Sequence, residues 1–440
     1  MTFSELNLNK FLLNALDDLG FSEATPIQEK VFSVVMSGKD VCAIAQTGTG
    51  KTYAYLLPTL RQFQFSKEGT PQLLIIVPTR ELVAQVVESV EKLTKYMTAR
   101  TVGIYGGTNT RAQAAAIQQG VDILVATPGR LVDFLNSGVL KPKNIKRLIL
   151  DEFDEMLNLG FRAQLSVIFD KLPPKRQNLL FSATLTPEVE ELVDTFFNAP
   201  LRIETERVGT PLDNIAQSHY KVPNFYTKLN LLNFLLETDK TMTKVLVFVS
   251  TKSLADRVYE HLKPAYKTEV DIIHGNKQQN YRFNSVNQFE NGSCRVLIAT
   301  DIIARGLDVD GVTHIVNFDL PDAPENYIHR IGRTGRFGKT GVAISFIKDK
   351  EAAMQADIER LMATQIPLNE FPKTVAISEQ LLDEEKEKVA MKFLTKLPQI
   401  DPSESAFQEK LEKNKKVNVR YNHEAAMKQK YGKAYERRKK

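Results

Sequence analysis

The chain has 440 residues, too many for one ordinary domain and suited to two of about 100–200 residues each. Apolar residues make up 42% and charged residues 25%, a globular composition, and no run approaches the about 18 consecutive apolar residues that span a bilayer. The net charge of +5 is unevenly spread: residues 410–440 carry twelve Lys/Arg against three Glu, a local +9, which leaves about −4 for residues 1–409.

In chain order, MTFSELNLNKFLLNALDDLG opens as an amphipathic helix and lacks the basic, apolar and small-residue order of a secretory signal. Short apolar runs then alternate with helical patterns. In the first half the strand candidates are DVCAIA, QLLIIVP, TVGIY, DILVAT, RLILDE and NLLFSAT, with helical stretches such as RELVAQVVESVEKL between them. In the second half KVLVFVS, VDIIHG, CRVLIAT, THIVNF and GVAISFI repeat the rhythm. Runs so continuous in Val, Ile and Leu are strands covered on both faces, so the expected fold is α/β, two doubly wound parallel sheets in tandem. The sequence divides as 1–205, a linker at 206–217 where Gly209 and Pro211 interrupt the periodicity, 218–372, and a charged tail at 373–440. The tail is expected to be partly helical, partly disordered and outside either core. Its charge fits an arm that touches polyanions and equally a solubilising end. Cys42 and Cys294 are too few and too isolated for a disulfide framework or a zinc site. They read as buried, reduced thiols, which suits a cytoplasmic protein.

The sharpest signal is Ala45-Gln46-Thr47-Gly48-Thr49-Gly50-Lys51-Thr52, after one strand candidate and before the helix candidate KTYAYLLPTLRQF. Glycines let such a loop curl so that backbone N–H groups point at phosphate oxygens, and the helix N-terminus adds its dipole. Lys51 is placed to meet the β- and γ-phosphates and Thr52 to hold Mg²⁺ through its hydroxyl. Ala45 stands where the usual phosphate loop begins with Gly. The second signal is RLILDEFD, residues 147–154, a strand ending in carboxylates where open α/β sheets place their ligands. Asp151 is suited to hold Mg²⁺ through a water, and Glu152 to orient and deprotonate an attacking water. Asp154 is also suited to cap the helix EMLNLGF.

With these residues in place the chain resembles a DEAD-box RNA helicase over about residues 1–370, in motif order. Phe21 and Thr25-Pro26-Ile27-Gln28 resemble the family's adenine-reading element, with an amide at Gln28 that both donates and accepts; Phe3 falls where the family keeps an upstream aromatic. Pro78-Thr79-Arg80-Glu81-Leu82, Gly106-Gly107 and Thr127-Pro128-Gly129-Arg130 resemble the three RNA-gripping motifs of the first domain. They supply hydroxyls, exposed glycine backbone and arginines, groups that hold phosphates without reading bases. Ser182-Ala183-Thr184 resembles the element that couples ATP state to strand separation. Val247-Phe248-Val249-Ser250, His274-Gly275 with Gln279 and Arg282, and Thr300-Asp301 with Arg305-Gly306-Leu307-Asp308 continue the match. His329-Arg330-Ile331-Gly332-Arg333-Thr334-Gly335-Arg336 completes it.

The resemblance implies two RecA-like domains and the following roles. Phe21, Gln28, Thr47, Gly48, Thr49, Gly50, Lys51, Thr52 and Asp308 bind ATP, Asp308 through the ribose. Pro78, Thr79, Arg80, Gly107, Thr127, Pro128, Gly129, Arg130, Arg282 and Thr300 bind RNA. Arg333 and Arg336 are arginine fingers on the γ-phosphate, and Arg330 links to the acidic motif. Asp154, Ser182, Thr184, His329 and Arg330 couple the two activities. One departure stands in the name-giving motif, which reads Asp-Glu-Phe-Asp, so that Phe153 must find room at a crowded domain face. The implied activity is RNA-stimulated ATP hydrolysis with Mg²⁺ that unwinds RNA duplexes locally. An ATP-regulated RNA clamp or annealing chaperone with weak turnover is the alternative. The implied partners are RNA, ATP and, beyond them, ribosomal or RNA-processing proteins, with no membrane association. Without a sustained heptad seam, a monomeric core is expected.

Overall fold

The computed structural model describes residues 1–45, 48–204, 214–301, 309–335 and 339–386. Thr47, Asp308 and Arg336 among the expected site residues, with Gln46, Arg305–Leu307 and the basic tail, lie outside the described residues. Met1–Glu385 form one unit built of two lobes.

The first lobe is a seven-stranded sheet. Its strands are β1 (Val41–Ile44), β2 (Leu73–Ile76), β3 (Thr101–Ile104), β4 (Ile123–Ala126), β5 (Arg147–Leu150), β6 (Gln177–Ser182) and β7 (Leu201–Glu204). All are parallel, in the order β3-β4-β2-β5-β6-β1-β7. Because successive side chains point to opposite faces, one strand feeds two cores. Val41 and Ala43 join Leu73 and Ile75 under α1 (Lys10–Asp18), α2 (Pro26–Met36), α3 (Lys51–Arg61) and α4 (Arg80–Leu93). Cys42 and Ile44 join Leu74 and Ile76 under α5 (Thr110–Gln118), α6 (Pro128–Asn136), α7 (Phe153–Asn158), α8 (Arg162–Lys171) and α9 (Pro187–Phe196).

The second lobe repeats the plan with β8 (Ile215–Lys221), β9 (Val245–Phe248), β10 (Val270–Ile273), β11 (Val296–Ala299), β12 (His314–Asn317) and β13 (Gly341–Ile347). The order is β10-β11-β9-β12-β13-β8, again all parallel. On one face Val245 and Val247 pack with α10 (Phe225–Thr238) and α11 (Lys252–Tyr266). On the other Leu246 and Phe248 pack with α12 (Gln279–Glu290), α13 (Pro324–Ile331) and α14 (Ala352–Met362).

β7 and β8 were not among the strand candidates. Both are edge strands with few buried side chains, one in β7 (Ile203) and two in β8 (Ile215 and His219), so neither makes a continuous apolar run. β8 begins inside the stretch read as a linker. Beyond Pro372, Val375 and Leu382 still bury against the second lobe, and Glu385 accepts from the Phe225 amide at 3.0 Å and pairs with Lys348 at 2.5 Å. Packing therefore continues past the point where the sequence pattern changes.

Candidate active site

Parallel sheets collect functional groups at the C-terminal ends of their strands, and both sheets do so here. At the end of β1, Gly48 and Gly50 take left-handed φ values of 80° and 87°, which only glycine adopts without strain. Gly50 has a second constraint: a Cβ there would stand 2.5 Å from Gln28 Nε2. The Gln28 amide instead donates to Gly50 O at 3.1 Å and accepts from the Thr25 amide at 3.0 Å, tying the loop to the start of α2. Lys51 opens α3 with its side chain buried, and its ammonium has no hydrogen-bond partner among the described residues. A buried cation so placed matches a phosphate ligand. Phe21 is half-exposed, edge-on to Tyr53 at 5.4 Å, whereas Phe3 is buried in the core.

β5 delivers the acidic motif. Asp151 is buried and its Oδ2 accepts from Tyr55 Oη at 2.9 Å. Burial pushes the Asp151 carboxyl up, against the opposing pull of Lys51 and the Tyr55 hydroxyl. Glu152 sits at φ 51°, ψ 52°, left-handed backbone that costs a non-glycine residue of order 1–3 kcal/mol and clusters at functional sites. Burial raises its pKa from 4.5 to about 7; Arg333 opposes the rise and Asp151 adds to it. Helix α7 starts at Phe153 with Glu152 as its cap residue, so Asp154 lies in the first turn and is not the cap expected from the sequence. Its carboxylate accepts from the Thr184 amide at 2.9 Å and the Thr184 hydroxyl at 2.8 Å, and its amide donates to Ser182 Oγ at 3.2 Å. Burial pushes Asp154 up, but His329, Lys51 and the two hydroxyls outweigh it and hold it below the usual range.

Phe153 corrects another expectation. It does not crowd the domain face; its ring is 0% exposed, turned into the core with Met156, Leu150, Leu180 and Val189. The left-handed Glu152 sends the next side chain inward while its own carboxylate faces the cleft. Phe153→Ala therefore acts on stability: urea unfolding should show a loss of about 3–5 kcal/mol in the first lobe, the usual cost of emptying a buried phenylalanine site.

The second lobe faces this site with α13. Arg333 Nη2 lies 3.9 Å from Glu152 Oε1, and His329 Nε2 lies 3.9 Å from Asp154 Oδ2. Arg330 was expected to reach the acidic motif, and the structure takes it elsewhere. It is buried in its own lobe in a bidentate pair with Asp301 at 2.6 and 2.7 Å, donates to Asn317 Oδ1 and Asp319 O, and stacks 4.9 Å from the Phe248 ring. His329 alone of the two faces the acidic motif.

A second set of groups lines the cleft farther along. Thr79 caps α4 through Leu82 N and Thr127 precedes α6, whose Arg130 donates to Gln113 at 3.0 Å. Gly107 is left-handed, and a Cβ there would come within 2.6 Å of the Arg80 Cζ, so glycine makes room for that guanidinium. Pro78 lies in the turn before α4, Gly129 in the first turn of α6, and Thr300 follows β11 with its side chain buried. Glu81, part of the motif at residues 78–82 but given no role of its own there, joins the lobes: it pairs with Arg282 and accepts from Gln279 Nε2 at 3.0 Å, while Arg80 donates to Gln279 Oε1 at 3.3 Å. Tyr55 was likewise missed, although it stands one helical turn after Lys51. Among the described residues no group of three or more His, Cys, Asp or Glu side chains could hold a metal by itself. A cation here would need oxygens from a phosphate ligand and water, the way Mg²⁺ is usually held.

Comparison with known proteins agrees with this geometry. Family models described as "DEAD/DEAH box helicase" and "Helicase conserved C-terminal domain" match residues 25–192 and 227–338. The DEAD-box ATP-dependent RNA helicase CshA of Bacillus cereus is 41% identical over 360 residues, 82% of this chain and 68% of that protein. The ATP-dependent RNA helicase eIF4A of Kluyveromyces lactis is 38% identical over 375 residues, 85% of this chain and 93% of that one. Among solved structures, S. cerevisiae Dbp5 bound to RNA and ADP BeF3 superposes with a TM-score of 0.75 at 30% identity, covering 84% of this chain and 95% of Dbp5. Two parallel-sheet lobes, an acidic strand-end motif facing Arg333 across the cleft, and these matches in both lobes establish that the chain belongs to the DEAD-box helicase family.

Proposed function

We propose that the chain is an ATP-dependent RNA helicase whose catalytic site is completed only when both lobes meet. The observation that carries this reading is Arg333 of the second lobe lying 3.9 Å from Glu152 of the first. The phosphates lie on the amides of Gly48–Gly50 and on Lys51, with Thr47 and Thr49 alongside, while Gln28 and Phe21 hold adenine and Asp308 the ribose. Thr52 and Asp151 hold Mg²⁺, which when bound with the nucleotide neutralises charge on the phosphate oxygens. Glu152 orients a water and takes its proton as the water oxygen bonds to the γ-phosphorus; the bond to the β–γ bridging oxygen breaks and ADP leaves with inorganic phosphate. Arg333 and Arg336 stabilise the charge that spreads over the γ-phosphoryl group, a contribution worth about 10³–10⁵ in rate.

RNA phosphates lie along Pro78, Thr79, Arg80 and Gly107, then Thr127–Arg130, and cross to Arg282 and Thr300. Asp154, Ser182, Thr184 and His329 join the two events, because the hydroxyls that fix Asp154 sit between the acidic motif and the strand-end turns. RNA bound across the cleft favours closure, closure assembles the hydrolytic site, and ATP raises RNA affinity by the same coupling free energy. The clamp fits a bent single strand, so a duplex parts locally. Contacts to phosphate dominate, so binding tolerates sequence and weakens with salt. Preference for RNA over DNA comes from 2′-hydroxyl contacts. The same reading takes the joint between the domains as lying between Glu204 and Asn214, the core as monomeric and the compartment as cytoplasmic. The buried, reduced Cys42 and Cys294 support the last point.

The test compares ATP hydrolysis with and without single-stranded RNA, and duplex separation with and without ATP, for the full chain and for a chain ending at residue 386. A helicase keeps RNA-stimulated hydrolysis and ATP-dependent strand separation in the shorter chain. Strand annealing that ignores ATP and disappears with the tail would replace this reading with a chaperone.

A further inference from the structure

Lys228 is the residue of the second lobe that the mechanism above does not use and that the fold goes furthest to accommodate. It is 0% exposed on α10, with Nζ donating to Phe318 O at 2.6 Å and to Asp319 Oδ1 at 3.0 Å, and Glu351 3.7 Å away. Burying an ammonium this completely is costly unless its partners are fixed. Asp319, just beyond the end of β12, is also buried. Burial pushes its carboxyl up, but Lys228 and the Ser250 amide outweigh that and hold it low. For Lys228 burial wins over its two carboxylates and lowers it. We read the pair as ionised: Asp319 is held low by Lys228 and the Ser250 amide, and an ammonium 3.0 Å from a carboxylate that also accepts two bonds from Ser250 stabilises both charges.

The free side of the pair points at functional ends. Asp319 Oδ2 accepts from the Ser250 amide at 3.1 Å and the Ser250 hydroxyl at 3.0 Å, while Asp319 O accepts from Arg330 Nη1 at 2.6 Å. Ser250 follows β9 and is exposed, on the same strand-end surface as Thr300 after β11 and the start of α12 with Arg282. Arg330 adjoins His329, which faces Asp154. One residue thus touches both an RNA-side turn and, through Arg330, the helix that leads into Arg333.

We propose that Asp319 is a positioning residue for RNA engagement, that it acts through Ser250, and that buried Lys228 is there to hold it ionised and oriented. The proposal rests on the helicase reading above. Asp319→Asn cannot satisfy both neighbours: an amide that turns its oxygen to Ser250 sets its NH₂ against the Lys228 ammonium, and the reverse orientation sets NH₂ against the Ser250 N–H. Adding Lys228→Met removes the conflict, since the amide oxygen then faces Ser250 alone and no unpaired charge is left buried.

The experiment measures RNA-stimulated ATPase of the full chain across RNA concentrations for wild type, Asp319→Asn, Ser250→Ala, the Asp319→Asn/Ser250→Ala pair and the Lys228→Met/Asp319→Asn pair, with melting curves for each. Asp319→Asn should raise the RNA concentration for half-maximal stimulation about tenfold, the order expected for losing a charge-assisted bond, with a smaller change in kcat at saturating RNA. The effect should add only in part to that of Ser250→Ala, because the hydroxyl bond is common to both while the Ser250 amide bond survives in Ser250→Ala. Lys228→Met/Asp319→Asn should return half-saturation to within about threefold of wild type, and this variant carries the test if Asp319→Asn alone does not fold. If Asp319→Asn melts lower yet keeps wild-type half-saturation, or if its effect adds fully to that of Ser250→Ala, Asp319 is structural only and the proposal is overturned. Loss of RNA stimulation in the wild type itself would instead remove the helicase reading.

Discussion

Glu152→Gln lowers RNA-stimulated ATP hydrolysis by about 10²–10⁴-fold, the contribution of a positioned general base, while nucleotide-dependent RNA binding persists. Glutamine keeps the size and the hydrogen-bonding oxygen, so the left-handed turn at φ 51° and the packing of Phe153 behind it are retained. What is lost is the group that accepts the proton of the attacking water. Binding survives because the phosphate loop, Lys51 and the cleft arginines are untouched. A second readout is independent of turnover. The Glu152 pKa is raised in the fold, from 4.5 to about 7, so the buried carboxyl favours the folded state while protonated and opposes it once ionised. Melted without nucleotide and with metal chelated, wild type and Glu152→Gln should have similar midpoints near pH 4, below the unfolded pKa, and the variant should be increasingly the more stable as the pH rises through 7 to 8. Hydrolysis within about threefold of wild type would remove Glu152 from the base's role.

Arg333→Ala lowers the rate of a single hydrolytic turnover at saturating RNA by about 10³–10⁵-fold, with nucleotide affinity changed far less. The residue is buried, its Nε donates to His329 O at 3.2 Å, and its guanidinium reaches across the cleft to Glu152. Its effect belongs to the transition state because the first lobe alone holds the phosphates through Gly48–Lys51, whereas the charge that develops during transfer meets the second lobe only on closure. The comparison that isolates this role is Arg330→Ala. Arg330 is the structural arginine, with its guanidinium spread over Asp301, Asn317, Asp319 and the Phe248 ring, so its loss destabilises the second lobe and lowers melting and activity together. Arg333→Ala should melt close to wild type. If it hydrolyses ATP within tenfold of wild type, the finger is not at this position.

The sequence made the nucleotide half of the site readable because its residues are local. Gly48, Gly50, Lys51 and Thr52 share one turn, and Asp151, Glu152 and Asp154 share another, so strand-then-helix placement assigns them chemistry before any contact is known. The two parallel sheets were readable for the same reason, from buried runs such as VLVF and VLIA. Long-range pairing was not. Nothing near Glu81 in sequence announces Gln279 and Arg282, 198 residues or more away, and nothing in HRIGRTGR tells which arginine turns inward to Asp301. Phe153 was misplaced because periodicity does not register a left-handed residue before it. The edge strands β7 and β8 escaped because most of their side chains are exposed or only partly buried, so polar residues interrupt them where the central strands run apolar.

The contacts that join the lobes have a thermodynamic consequence. Each of the four apolar cores lies wholly within one lobe, and among the described residues the cleft is bridged by Arg282 with Glu81, Arg80 and Glu81 with Gln279, Arg333 with Glu152, and His329 with Asp154. Parting the lobes therefore hydrates charges and amides rather than oil-like surface. Heat capacity tracks apolar exposure, so opening carries a small change in it, and the open–closed balance drifts little with temperature where folding equilibria curve strongly. Among the described residues, the side chains that opening separates are ones that water solvates well.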